Sequence, residues 1–451
     1  MRGCIARTER LEPQLHSYIT FTPERALAAA RTADDERRRR VDRGPLHGIP
    51  VSVKDHIDTA GVPTTAGSKV LAGRVPATDA VVVARLREAG AILMGKANMN
   101  PFAGGDSGWN ADYGKMSNPR FPGYSVGGSS GGSGSQVASG LVALSFGSDN
   151  GGSVRIPAAL CGVVGLKPTF GRVSMDGVAP RSLSSDHLGP IGRTVDDVAL
   201  ALGVIAGHVP GSHSTSRRPV PSYESDGANI KGLRIGVDRT YCAVGDPAVL
   251  KAFAEALATF EALGCSMRDV TMPAADELLQ VSDLIFQPEA ALWFDVFTKQ
   301  HGAELTPDIR TWRGNWIGLG LAVSAMDYLR ANQRRREMQI AFAQSTRDVD
   351  LVMLPSYFLA RRPFPATADE LIGGYPKIGS YQPTFADAMH YTVPFNFFGL
   401  PAVSVPCDIG MDGAVGLQIV GRAWDEAGVL RAARAYEQAT AWHRLPPPLT
   451  T

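Results

Sequence analysis

No two cysteines stand in Cys-x-x-Cys spacing, and the five present, Cys4, Cys161, Cys242, Cys265 and Cys407, are odd in number and widely scattered. That pattern argues against a disulfide framework and a structural zinc site, and it favours a reducing, cytoplasmic setting. No apolar run reaches the roughly 20 residues of a membrane span. The opening MRGCIARTERLEPQLHSY carries charge throughout where a signal peptide would have an apolar core. The expectation is a protein that is neither exported nor held in a membrane. Net charge is +1, from 45 basic and 44 acidic residues, which leaves no electrostatic footprint for a nucleic-acid partner. Clustered His, Cys and carboxylate ligands are absent too, so no metal is expected. No internal repeat of fixed period is visible.

What the chain does have is 451 residues, 44% of them hydrophobic, ample for a large core. Short apolar runs alternate with helical periodicity almost from end to end, which predicts an α/β fold with a largely buried sheet. The strand candidates are IPVSV, AILMG, LVALSF, LRIGV, DLVML, AVSVP and GLQIV. Helix punctuation lies between them. Thr78 is placed to cap a helix from Asp79 to Ala89, Thr194 to open another before Asp196 and Asp197, and Asp246 with Pro247 to open a third that Gly264 ends. A longer helix is predicted over Ala325 to Gln344, its basic run read as solvated surface. The Ser-, Pro- and Gly-rich stretch 209–230 resembles a linker but is read as a surface excursion within one domain spanning 1–451, because strands of similar buried character stand on both sides of it.

The segment GGSSGGSGSQVASGLVALSFGSDNGGSVRIP, residues 127–157, is the most unusual. Two Gly-Gly-Ser clusters flank a helix and a strand, so each serine sits where backbone can approach a ligand closely. The turn before Ser153 can aim the backbone N–H groups of Asn150, Gly151 and Gly152 at one point beside its hydroxyl, an oxyanion hole. From composition alone the same stretch reads as a flexible Gly/Ser loop. A serine hydroxyl also needs a base. None of the nine histidines stands in a catalytic context, and His56, His187 and His390 read as structural. Lys54, at the end of the apolar strand in HGIPVSVKDHIDTAG, would serve if burial left it neutral, although a strand-end lysine is ordinarily just solvated.

Taken together these residues resemble the amidase signature family. The match runs through GIPVSVKDHIDTAG, GKANMNPF, GGSSGGS, GSDNGGSVRIPAALCGVVGLKPTFGRVS, GPIGRTVDDVALAL and TVPFNFFGLPAVSVPCDIGMDGAVGLQIVGRAWDEAGVLRAARAYE, nearly the whole chain. The resemblance implies one large α/β domain, a mixed central β-sheet covered by helices on both faces. It implies an amidohydrolase that cleaves a carboxamide to an acid and ammonia or an amine, without cofactor. Ser153 would be the nucleophile, Ser129 a serine in a cis peptide after Gly128 that relays the proton, and Lys54 the base. The separation of the two serines matches the family pattern and selects Ser129 over Ser130.

Two rivals remain. Gly127-Gly128-Ser129-Ser130-Gly131 fits the G-x-S-x-G elbow of an esterase with Ser129 as nucleophile, but a proline- and glycine-containing loop precedes it where that motif requires a strand. Within the family, the A subunit of the glutamyl-tRNA amidotransferase shares these motifs and works in a complex. Against it, SSDHLGP around His187 resembles stand-alone amidases more closely. The family's N-terminal helix is clipped here, as a choice of start site would produce. The expected partner is a small amide, with homo-oligomerisation left open. AGGDSGW, residues 103–109, matches a region bordering the family's acyl pocket, which makes Ala103 and Asp106 substrate-binding candidates. Asp106 is equally a turn-capping residue.

Overall fold

The computed structural model describes residues 1–448 except 213, 225–226, 228, 307–316, 365–374, 376 and 379–381. Eleven strands form one sheet: β1 (Tyr18–Phe21), β2 (Pro50–Lys54), β3 (Ile92–Ala97), β4 (Leu144–Asp149), β5 (Val164–Lys167), β6 (His187–Gly192), β7 (Arg234–Val237), β8 (Ser266–Asp269), β9 (Leu351–Pro355), β10 (Ala402–Gly410) and β11 (Gly413–Val420). Their order is β1-β3-β2-β4-β6-β5-β10-β11-β9-β7-β8. The trios β3-β2-β4 and β9-β7-β8 are parallel and the strands joining them antiparallel, so the sheet is mixed. All seven sequence-predicted strands are in it. Strands from both sides of 209–230 share this sheet, and one apolar cluster runs from Leu46 to Tyr436.

Helix punctuation is borne out in two places and shifted in a third. Thr194 forms a capping box with Asp197 and opens Val195–Ile205, and Asp246 caps Pro247–Ala262. The helix expected from Asp79 begins at Val81 instead, because the Asp79 side chain accepts the Ala60 amide at 2.7 Å and is taken out of the helix. The long helix spans Ala325–Ser345. Its basic run is not all solvated: Arg335 donates through Nε to Phe397 O at 2.5 Å and through its terminal nitrogens to Ser184, tying the helix to the short helix Val393–Phe397 and to the turn at Ser184.

β2 positions the chemistry. It is paired on both flanks, with β3 and β4, and from Val51 to Lys54 it is buried on both faces. Side chains alternate along a strand, so Ser52 and Lys54 share a face opposite Val51, Val53 and Asp55. Ser52 Oγ donates to Gln136 Oε1 at 2.5 Å, which identifies the shared face as the one covered by the helix Gly131–Ala138.

Candidate active site

Lys54 is wholly buried at the end of β2, with Nζ 2.7 Å from Ser129 Oγ and 3.0 Å from Ser148 Oγ. Burial disfavours the ammonium form and brings the amine down to about 7, against the weaker opposing pull of Asp149 and Asp186. Asp55, its neighbour in sequence, is turned to the other face. There its carboxylate accepts the amide and hydroxyl of Thr65 and lies 3.7 Å from Lys96 Nζ.

Ser129 follows a cis peptide bond from Gly128. Gly128 is required by crowding: a Cβ there would lie 2.2 Å from Asn100 Oδ1. Ser129 is fully buried, its carbonyl accepting the Asn100 amide at 3.2 Å, and the next amide, of Ser130, donates to Ser153 O at 3.2 Å. The two serine clusters are thereby stitched together, although no hydrogen bond joins the Ser129 and Ser153 hydroxyls.

Ser153 is half-buried at the end of a turn clamped from behind. Asp149 Oδ1 accepts Gly152 N at 2.8 Å, Arg155 Nη2 at 2.8 Å and Asn396 Nδ2 at 2.9 Å, while Oδ2 accepts Val154 N at 3.1 Å and Arg155 Nε at 3.0 Å. Burial would raise this carboxyl, but the guanidinium beside it wins and holds it below the usual carboxylate range. Arg155 reaches on to Gln418 Oε1 and Asn396 Oδ1, both at 2.5 Å. One member of the predicted oxyanion hole is corrected by this clamp. The Gly152 amide is spent on Asp149, whereas those of Asn150 and Gly151 take no hydrogen bond within the described residues.

Ser153, Gly128, Asn150, Gly151 and Ala103 line a common cleft of about 260 Å³. Asp106 does not join them. Its carboxylate accepts Arg362 Nη2 at 2.9 Å and Nε at 3.2 Å, Tyr357 OH at 2.5 Å and Tyr375 OH at 3.1 Å, and it is 2% exposed. It is an internal anchor, neither a substrate contact nor a simple turn cap. Since Ser125 Oγ also donates to Ser107 O at 2.7 Å, the 103–109 loop is fixed against the segment leading to Ser129. A larger cavity, about 380 Å³, lies beside Phe342, Val352 and Leu400 and holds none of the sequence-selected residues. Sequence-selected residues line the smaller one.

Of the three histidines, His187 and His390 have ring nitrogens on the carbonyls of Ser185 and Tyr241, and His56 is buried with burial holding its ring neutral. Sequence reasoning missed Ser148, which lies inside the motif it did use, and the remote clamp residues Asn396 and Gln418. It also missed the second layer around Asn150, whose Nδ2 donates to Ser185 Oγ at 2.5 Å and Asp186 Oδ1 at 2.9 Å while Oδ1 accepts Arg181 Nε at 3.1 Å.

A mixed sheet of this order, with a buried lysine on one strand and glycine-rich serine turns beside it, marks an enzyme acting on carbon–nitrogen amide bonds. The chain belongs to the amidase family, whose model matches residues 1–430. It is 39% identical, over 99% of its length and 94% of the relative's, to the A subunit of the glutamyl-tRNA(Gln) amidotransferase of Chloroflexus aggregans. The native peptide amidase of Stenotrophomonas maltophilia is 30% identical and superposes at a TM-score of 0.83, covering 99% of this chain and 94% of that one. A bacterial aryl acylamidase of the amidase signature family shares the fold at a TM-score of 0.89, with 23% identity and coverage of 100% and 94%.

Proposed function

We propose that this chain is an amidohydrolase, working as one domain on its own, that forms an acyl-enzyme on Ser153. The observation that carries the reading is the 2.7 Å contact between Ser129 Oγ and a wholly buried Lys54 whose amine is brought to about 7. A neutral amine at that position accepts the Ser129 proton as Ser129 takes the proton of Ser153. Ser153 Oγ then bonds to the amide carbon, and the Asn150 and Gly151 amides stabilise the oxyanion. The carbon–nitrogen bond breaks as the relay returns the proton to the leaving amine. Water attacks the ester by the same route, releasing the acid and restoring Ser153. Lys54, Ser129 and Ser153 thus act as base, relay and nucleophile, in a cytoplasmic setting.

The likeness to the amidotransferase chain supports a second reading, in which the acyl-enzyme is formed from glutamine within a complex. One experiment separates the readings. The purified chain is incubated alone with aliphatic, aryl and ureido amides and glutamine, and a fluorophosphonate adduct is mapped by mass spectrometry. Hydrolysis of simple amides with the adduct on Ser153 is expected. Activity confined to glutamine, and only with other subunits added, selects the second reading; an adduct on Ser129 overturns the assignment of the nucleophile.

A further inference from the structure

The cleft that holds Ser153 is chemically lopsided. Leu279, Phe286, Met389 and Val393 give it apolar walls, and its charged lining side chains among the described residues are Arg181 and Asp283. Arg181 is anchored, since its Nε donates to Asn150 Oδ1 at 3.1 Å. The guanidinium therefore stands one side chain away from the Asn150 backbone amide that lines the cleft beside Ser153. Asp283 sits on the exposed side of the helix Ala275–His301, where its carboxylate accepts Gln287 Nε2 at 3.2 Å. Asp186 faces Arg181 from behind, accepting the Arg181 and Ser182 backbone amides. Asp186 and Asp283 both act on the guanidinium and offset part of its charge, and Arg181 is the one cationic side chain among the described lining residues, between walls where a charge is screened less than at an open surface.

We propose that Arg181 determines specificity by pairing with a carboxylate carried one to three carbons from the scissile amide, so that the cleft takes half-amides of short dicarboxylic acids. The assignment rests on the amidohydrolase reading. Size supports it: a cavity of about 260 Å³ is smaller than the pockets that hold drug-sized ligands. Geometry supports it as well, because Asn150 presents its backbone amide to the carbonyl and its side chain to the guanidinium, placing the two recognition points a single residue apart. Arginine suits the task, since its fork matches a carboxylate in two parallel hydrogen bonds.

The test compares kcat/KM for malonamate, succinamate and glutaramate with propionamide, butyramide and valeramide, chain for chain, and adds asparagine. In the wild type at least one half-amide is preferred over its neutral counterpart by about tenfold or more, as expected for a charge-assisted pair. Arg181→Gln abolishes that ratio and Arg181→Lys keeps part of it. Asp283→Asn raises kcat/KM for half-amides by removing a like charge. No preference in the wild type, or equal loss for both series in Arg181→Gln, overturns the proposal while leaving amide hydrolysis standing. So does an asparagine preference that Asp283→Asn destroys. Binding to Ser153→Ala, followed by ligand-detected NMR, separates the two claims. If no amide is hydrolysed yet succinamate binds more tightly than butyramide in an Arg181-dependent way, the hydrolase reading falls while Arg181 remains the carboxylate-binding group of the cleft.

Discussion

Replacing Lys54 by methionine removes the proposed base and should make the protein more stable. The lysine titrates at about 7 in the fold against 10.5 as a free side chain. At about 1.4 kcal/mol per pKa unit, and with the buried amine half protonated at pH 7, that difference costs the native state about 4 kcal/mol. Methionine has similar length and no charge to desolvate, but it leaves the buried Ser129 and Ser148 hydroxyls without the amine, a loss of about 1–3 kcal/mol. The expected net gain is therefore about 1–3 kcal/mol at pH 7, accompanied by loss of activity. Its pH dependence has a definite sign. The wild-type penalty is full below the folded pKa and disappears as pH rises toward the unfolded one, because the unfolded chain then gives up its proton too. The advantage of Lys54→Met should accordingly shrink by about 3 kcal/mol between pH 7 and pH 9.5. Reversible urea unfolding of both proteins at the two pH values measures it. A variant less stable than wild type at pH 7, or a difference that does not change with pH, would refute the argument that burial lowers the Lys54 pKa.

The same ionisation should govern catalysis: kcat/KM rises with pH through a single step near 7, and Lys54→Arg is as inactive as Lys54→Ala because a guanidinium cannot accept the proton. Ser153→Ala should lose all acyl transfer with its fold retained, whereas Ser129→Ala keeps a trace through water, both read by burst kinetics and circular dichroism. Asp106→Asn, which breaks a buried ion pair with Arg362, should lower stability by about 3–5 kcal/mol in urea unfolding, and an unchanged midpoint would contradict the anchoring role. Exhaustive EDTA or phenanthroline treatment should leave the rate unchanged, since every proposed step uses serine and lysine; zinc-restorable loss of activity would overturn the mechanism.

How far the sequence could be read depends on whether the deciding contacts are local. The seven apolar runs were legible because burial on both faces of an interior strand leaves a nearly uninterrupted hydrophobic signature. β6 was not, since its HLGPIG carries two glycines and a proline that locally read as a turn. Pairing with β4 and β5 nevertheless makes every one of its residues buried strand. Lys54 shows the same limit at the site. On local grounds it is a charge at a strand end, normally solvated, and only the neighbouring strands together with the Ser129 segment packed over its face close it off from water. The apolar strand offered it only as a candidate base, and the family resemblance assigned the role. Asp106 reverses the case: after two glycines it reads as a turn residue or a substrate contact, but its partner Arg362 lies 256 positions away. The oxyanion turn falls between these extremes. Its glycines announce a close backbone approach, but which amides remain available depends on Asp149, and the orientation of Asp149 is set by Arg155 together with Asn396 from the far end of the chain. A residue's chemical type can thus be read in place, whereas its availability for chemistry is decided by partners that the sheet order brings to it.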